Sequence, residues 1–255
     1  LNTAEREHIG ELKLQKQKSY TYLGIAGIML LAGFSFFIVR ERGKSEQERK
    51  KSDGLLLNIL PEEVASELKA TGTTTARHYN NVTVLFTDFV DFTKASEGMS
   101  AQSLIDELHT CFKVFDEITA KFNIEKIKTI GDAYLAVAGL PTADPKHAEN
   151  SIKAAKEINN FMQDRLAKLG ERTFAVRIGI HSGSVVAGIV GVKKFAYDIW
   201  GDTVNTAARM EQHSEAGRIN ISQTTYDLVK DKISCTYRGE IDAKGKGHLK
   251  MYYVD

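Results

Sequence analysis

The chain has 255 residues, 42% of them hydrophobic and 26% charged, which is typical of a globular protein with one sizeable domain and some additional length. Its 34 basic and 33 acidic residues leave a formal charge of +1, so the overall charge gives no indication of a nucleic-acid partner. Cys111 and Cys235 lie far apart and the histidines form no HxxxH or HExxH pattern, so we expect neither a disulfide framework nor a zinc site.

The first predicted element is an uncharged, apolar run from Ser19 to Val39, long enough to cross a hydrocarbon core of about 30 Å. We interpret it as a transmembrane helix over residues 19–39, preceded by a juxtamembrane segment over residues 1–18. The strongly charged flanks disfavour a buried core helix, and Arg40 and Arg42 disfavour a signal peptide. Because the chain begins at Leu1 rather than Met, we expect it to be a piece of a longer or processed protein with a sensor upstream.

The basic residues that follow the apolar run favour a cytoplasmic location for the C-terminal side, and therefore a single-pass protein of the cell membrane. Residues 40–60 are charged at first and end in an apolar cluster that includes Leu55 and Leu60. This pattern is compatible with a helical connector that meets a partner helix and equally with a solvated linker. Pro61, followed by two glutamates, predicts the start of a short helix and of a domain over residues 61–255.

The periodicity of this domain alternates between strands and helices. Gly131 and Asp132 separate two of the predicted strands and so predict a tight hairpin. The order βαββαβ predicts an α+β fold with a ferredoxin-like core, an antiparallel sheet with both helices on one face, extended by further strands and a helix. The predicted elements are strand Val82–Phe86, helix Ser100–Phe122, strands Glu125–Ile130 and Ala133–Gly139, helix Lys146–Leu169, strand Phe174–His181 and helix Asp202–Glu211.

Two aspartates follow strands that this topology brings together. Asp88 comes after the first strand, and Asp132 lies in the turn between the second and third. Since the first strand pairs with the third, both carboxylates should lie on one sheet edge, where they could hold hard divalent cations. Taken separately, each aspartate is more typical of a turn or cap residue.

Three motifs change that interpretation. They are Phe86 to Thr93 (FTDFVDFT), Lys126 to Tyr134 (KIKTIGDAY) and Tyr197 to Met210 (YDIWGDTVNTAARM), followed by a KGKG turn that begins at Lys244. In sequence and order they closely resemble the motifs of class III adenylate and guanylate cyclases. The resemblance covers Pro61 to Asp255 and implies the fold of that family.

The resemblance implies roles for particular residues. Asp88 and Asp132, with the main-chain carbonyl of Phe89, would hold two Mg²⁺ or Mn²⁺ ions, one to activate the ribose 3′-hydroxyl and one to neutralise the departing pyrophosphate. Arg209 would stabilise charge on the α-phosphate, and Asn205, four residues earlier on the same helix face, would orient the ribose.

Further substrate contacts follow from the same resemblance. Lys244 would hold the terminal phosphates. Lys128, a donor, suits adenine N1, and Asp198, an acceptor, suits the adenine amine, whereas guanylate cyclases of the family carry an acid and a small polar residue there. The expected substrate is therefore ATP and the product cyclic AMP. The alternatives are a guanylate cyclase and a catalytically weak regulatory domain.

In this family the catalytic groups are split across a dimer interface. One chain here carries both sets, which implies a homodimer with two equivalent sites. A P-loop is the competing interpretation of Gly183 to Gly188, but Ile189 stands where the lysine must be. We interpret the glycines of this region, Gly179 included, as turn and close-packing residues.

Overall fold

The computed structural model describes residues 3–191, 195–243 and 247–255. The chain divides into two units between Asn58 and Ile59. The first unit is a single helix, α1 (Thr3–Leu57), which contains the whole predicted span 19–39 and continues through the charged segment after it. By length and composition it is long and apolar enough to cross a membrane, and its apolar window has no buried residues within the structure.

The second unit begins with the short helix α2 (Glu62–Thr71), which buries Val64 and Ala65 against the rest of the domain. The remaining helices are α3 (Phe92–Glu97), α4 (Ala101–Lys121), α5 (His147–Leu169), α6 (Asp202–Gln212) and α7 (Gln223–Val229). The strands are β1 (Arg77–Phe89), β2 (Ile124–Ile130), β3 (Ala133–Ala138), β4 (Val176–Ile189), β5 (Tyr197–Trp200), β6 (Ile219–Ser222), β7 (Cys235–Ala243) and β8 (Gly247–Val254).

The strands form one mixed sheet in the order β2-β3-β1-β4-β6-β8-β7, with β5 paired to β4. β1 lies between β3 and β4 and is antiparallel to both, while β6 runs parallel to β4. The sequence β1-α4-β2-β3-α5-β4 confirms the predicted ferredoxin-like core. The first and fourth strands are longer than predicted, and Gly183 and Gly188 lie within β4 instead of forming a turn.

The main core lies between the sheet and the two long helices α4 and α5. Apolar residues at helical spacing, such as Cys111, Phe115 and Ile118 on α4, face the sheet and are buried. The ring of Phe89, at the end of β1, lies 4.8 Å from that of Phe174 and 5.8 Å from that of Phe112. This aromatic packing fixes the backbone directly after Asp88, so the core determines where that carboxylate is presented.

Candidate active site

Asp88 and Asp132 lie next to each other at one edge of the sheet, the edge formed by the C-terminal end of β1 and the β2–β3 turn. β1 pairs with β3 so that Thr87 is opposite Tyr134, which places the last residues of β1 beside the β2–β3 turn. Gly131 has a φ of +63°, a conformation that suits glycine, and turns the chain so that Asp132 follows at this edge. Partial burial raises the pKa of Asp132, and the neighbouring Asp88 carboxylate raises it further.

This pair of carboxylates fits divalent cations. Two adjacent oxygen donors that repel each other gain when a cation lies between them, and carboxylate oxygens are ligands that Mg²⁺ and Mn²⁺ prefer. Within the described ranges no group of three or more His, Cys, Asp or Glu side chains forms a complete metal centre. The remaining ligands would therefore come from the main chain, water and the phosphates of a bound nucleotide.

Arg177 and Glu211 also belong to this edge, although the sequence motifs did not indicate them. Arg177 lies opposite Asp88 in the β1–β4 register, and its Nη2 donates to Asp88 Oδ2 at 2.5 Å. Its Nε donates to Glu211 Oε1, also at 2.5 Å. Burial raises the pKa of Glu211 to about 7, against the lowering effect of Arg177. The sequence signal for Arg177 was a single basic residue within an otherwise apolar strand segment, Val176 to Ile180.

Helix α6 is held against β4 at both ends by close glycine contacts. A Cβ atom added to Gly179 would lie 1.9 Å from the backbone nitrogen of Glu211, and one added to Gly183 would lie 2.5 Å from Thr203 Oγ1. Thr203 also donates its hydroxyl to the carbonyl of Ser184 at 2.6 Å. These contacts fix the distance of α6 from β4 and its rotation about its own axis. The glycines therefore allow close packing, as the sequence predicted.

The fixed rotation gives α6 a buried face and a more exposed face. Met210 and Glu211 are buried against the sheet, whereas Asn205 is exposed and Arg209 is half-buried. At about 100° per residue, Arg209 and Glu211 lie about 200° apart around the helix. Asn205 and Arg209 therefore share one face, as their spacing predicted, and it points away from the Asp88 edge of the same chain.

Lys128 and Asp198 form an ion pair between β2 and β5. A bulge between Lys126 and Lys128 interrupts the pairing of β2 with β3 directly before this lysine. Asp198 is opposite Gly188 in the β4–β5 pairing, and its second oxygen, Oδ1, accepts from the backbone N–H of Ile199 at 2.9 Å. The two residues predicted to read the base are thus brought together within one chain.

Lys244 lies outside the described residues. The strands on either side of it are β7 and β8, and aromatic side chains pack between these strands and α7. The ring of Tyr252 stacks on that of Tyr226 with centroids 4.0 Å apart and lies 5.4 Å from that of Tyr237.

The described part of the chain has a cavity away from the residues predicted to contact the nucleotide. A cavity of about 890 Å³ lies between the C-terminal end of α4 and the β3–α5 loop, where Asp116, Asn123 and Asp144 line it. None of the predicted site residues within the described ranges lines that cavity. Asp88 instead lies opposite Arg177 on the α6-bearing side of the sheet, and Asn205 and Arg209 lie on α6 itself.

A family model for the adenylate and guanylate cyclase catalytic domain matches residues 74 to 255. The chain therefore belongs to the class III nucleotide cyclase family. It is similar to human atrial natriuretic peptide receptor 2, with 37% identity over 229 residues that cover 85% of this chain and 21% of the receptor. It is also similar to an adenylate cyclase of Mycobacterium tuberculosis, with 34% identity over 224 residues that cover 86% of this chain and 50% of the enzyme.

The fold agrees with this assignment. The catalytic core of a rhodopsin-guanylyl cyclase with converted specificity, solved in complex with ATPαS, matches with a TM-score of 0.67 and 37% identity. The match covers 71% of this chain and 98% of that one. The chain thus spans half or less of the curated relatives named above but nearly all of this catalytic core. Adenylate and guanylate cyclases both occur among the relatives, so family membership alone does not identify the base.

Proposed function

We propose that this chain is an adenylate cyclase that converts ATP to 3′,5′-cyclic AMP and pyrophosphate in a homodimer. The observation that carries the choice of base is the Lys128–Asp198 pair. Adenine presents an acceptor at N1 and a donor at its amine, and an ammonium beside a carboxylate offers the complementary donor and acceptor. Guanine presents the reverse pattern at these two positions, so the same pair would oppose it.

In the proposed reaction a bond forms between the ribose 3′-oxygen and the α-phosphorus, and the bond from that phosphorus to the bridging oxygen of pyrophosphate breaks. Asp88 and Asp132, with the Phe89 carbonyl, would hold two Mg²⁺ or Mn²⁺ ions, which supply Lewis-acid chemistry for the attacking hydroxyl and the leaving group. Asn205 orients the ribose, and Arg209 stabilises the charge that develops on the α-phosphate.

Two further cations of the chain suit the triphosphate. Lys244 would hold the terminal phosphates, as its resemblance to the corresponding cyclase motif implies. Arg177 already pairs with Asp88 and has N–H groups suited to a phosphate oxygen at the same edge. With these groups in place the proton of the 3′-hydroxyl passes to solvent or to a phosphate oxygen, and no protein side chain is assigned as the general base.

The two faces of α6 support the proposed homodimer. Asp88, Asp132 and Arg177 lie on the side that Glu211 faces, whereas Asn205 and Arg209 point away from it. In this arrangement a second copy would supply Asn205 and Arg209 to the aspartates of the first. By twofold symmetry, the dimer then has two equivalent sites.

The test is product formation by the purified chain in detergent with Mn²⁺ and either ATP or GTP, with the product identified by mass spectrometry. An adenylate cyclase gives cyclic AMP with a kcat/KM for ATP at least tenfold above that for GTP, as a polar mismatch in a base site implies. Cyclic GMP as the main product would make the chain a guanylate cyclase. Neither product, from protein that binds nucleotide, would indicate a regulatory domain.

We also propose that residues 19–39 of α1 span the cell membrane between a juxtamembrane segment (1–18) and a helical connector (40–60), with the catalytic domain (61–255) in the cytoplasm, where ATP is available. Cysteine labelling with a membrane-impermeant reagent tests this topology in intact cells. An introduced cysteine at exposed Glu62 should label only after permeabilisation. Labelling in intact cells would place the domain outside.

A further inference from the structure

The guanidinium of Arg177 pairs with two carboxylates, those of Asp88 and Glu211, at the edge of the sheet where the metal ions are proposed to bind. Arg177 donates to Asp88 through Nη2 and to Glu211 through Nε, each at 2.5 Å. The Asp88 side chain is 18% exposed, whereas that of Glu211 is only 7% exposed. Asp88 can therefore exchange Arg177 for another cation from solution, whereas the more deeply buried Glu211 can keep its contact with Arg177.

Glu211 is fixed by its backbone as well as by its partner. Gly179 allows the end of α6 to lie directly on β4, two residues from Arg177 on the same face of the strand. On the next strand, Asn220 Nδ2 donates to the carbonyl of Met210 at 2.8 Å. The Glu211 carboxylate is thus held in place by α6, and it accepts from Arg177 Nε while Asp88 accepts from Nη2.

We propose that Glu211 is a positioning residue that holds Arg177 at the edge of the site while Asp88 binds the metal ion. The inference rests on the proposed role of Asp88 and Asp132. A cation at these carboxylates competes with Arg177 for Asp88. Because Glu211 remains as a partner, Arg177 can release Asp88 without becoming an unpaired, half-buried charge. Its Nη groups then become available to an anion at the same edge.

Glu211→Gln tests this role because it keeps the shape of the side chain and removes its charge. Arg177 would then depend on Asp88 alone and compete more strongly with the metal ion. In the purified full chain without nucleotide, the Mn²⁺ midpoint measured from the EPR signal of free Mn²⁺ should rise by about fivefold, which corresponds to about 1 kcal/mol. Glu215→Gln is the matched control, because Glu215 lies four residues further on, is exposed and pairs with Arg238.

A double variant separates positioning from general structural damage. In Arg177→Gln/Glu211→Gln the competitor is gone, so the Mn²⁺ midpoint should return to the wild-type value or below it. A merely structural role would lower the melting temperature of Glu211→Gln without moving that midpoint. An unchanged midpoint in the single variant, or a double variant as weak as the single one, would overturn the inference. If Asp88→Asn bound Mn²⁺ as tightly as wild type, the metal assignment itself would fail instead.

Discussion

Lys128 on β2 and Asp198 on β5 are 70 positions apart in the sequence, yet their side chains form an ion pair within one chain. The contact requires β2 and β5 to approach each other on the face of the sheet that carries α6, and the bulge in β2 lies directly before Lys128. An ammonium and a carboxylate placed side by side are matched to each other before any base arrives. In the proposed site, a base that offers an acceptor to Lys128 and a donor to Asp198, as adenine does, would complement this pair.

Replacing this pair should change the preferred nucleotide. In Lys128→Glu/Asp198→Cys the carboxylate accepts from guanine N1 and the thiol donates to guanine O6, so we expect the ratio of kcat/KM for ATP to that for GTP to fall by at least about a hundredfold. The ratio is measured with purified protein and both nucleotides, and it does not depend on the fraction of active enzyme.

Lys126→Glu is the control for that exchange. Lys126 lies on the same strand but pairs with Asp116 on α4, on the other side of the sheet, at 2.8 Å. The control therefore makes the same Lys→Glu substitution on the same strand but away from the Lys128–Asp198 pair. An ATP/GTP ratio that moves equally in the control, or does not move in the double variant, would show that the base is read elsewhere.

Asp132→Asn should separate activity from stability. Burial and the Asp88 carboxylate raise the pKa of Asp132, which means that its ionised form is disfavoured in the folded protein. Without metal, the uncharged asparagine should raise the melting temperature of the domain by about 1–3 °C, while cyclase activity is lost. Adding Mn²⁺ should raise the melting temperature of wild type but not of the variant.

Two outcomes for Asp132→Asn would contradict this prediction. A variant that retains activity, or that gains as much thermal stability from Mn²⁺ as wild type does, would remove Asp132 from the metal site. Differential scanning fluorimetry with and without Mn²⁺, alongside the cyclase assay, provides both measurements.

Gly179→Ala should displace α6. The added methyl group would overlap backbone atoms of Glu211, which cannot move aside as a flexible side chain could. We therefore expect a loss of about 2–4 kcal/mol in the free energy of unfolding and a large loss of activity. Gly98→Ala is the control, because its backbone is in the right-handed helical region and its nearest neighbour would be 3.8 Å away. Urea unfolding compares the two. Equal stabilities would mean that α6 is not held as closely as described.

The sequence was sufficient for the parts of the site that are local. Strand and helix periodicity predicted the βαββαβ core, and that topology predicted that Asp88 lies beside Asp132. The spacing of Asn205 and Arg209 likewise predicted their common face. In each case the relevant geometry repeats within a few residues or follows from strand order.

What the sequence could not provide depends on the approach of distant elements. Glu211 meets Arg177 only because α6 rests on Gly179, and no periodicity encodes which strand residue a helix end will touch. The full length of β4 was also missed, because its second half reads SGSVVAGI, and glycine and serine are more typical of turns. Pairing with β1 and β5 makes this segment a strand. Of its two glycines, Gly183 lies against Thr203 of α6 and Gly188 lies against Ala76.

The shared active site is the central claim, and coexpression of two inactive variants tests it most directly. Asp88→Ala and Asn205→Ala homodimers should each be nearly inactive, since every site lacks one group. In the mixed dimer one site carries both changes and the other carries neither. Random pairing makes about half of the dimers mixed, so cyclic AMP production should recover to roughly a quarter of the wild-type rate. No recovery, with subunit exchange demonstrated by differently tagged chains, would mean that each site is built within one chain and would contradict the account.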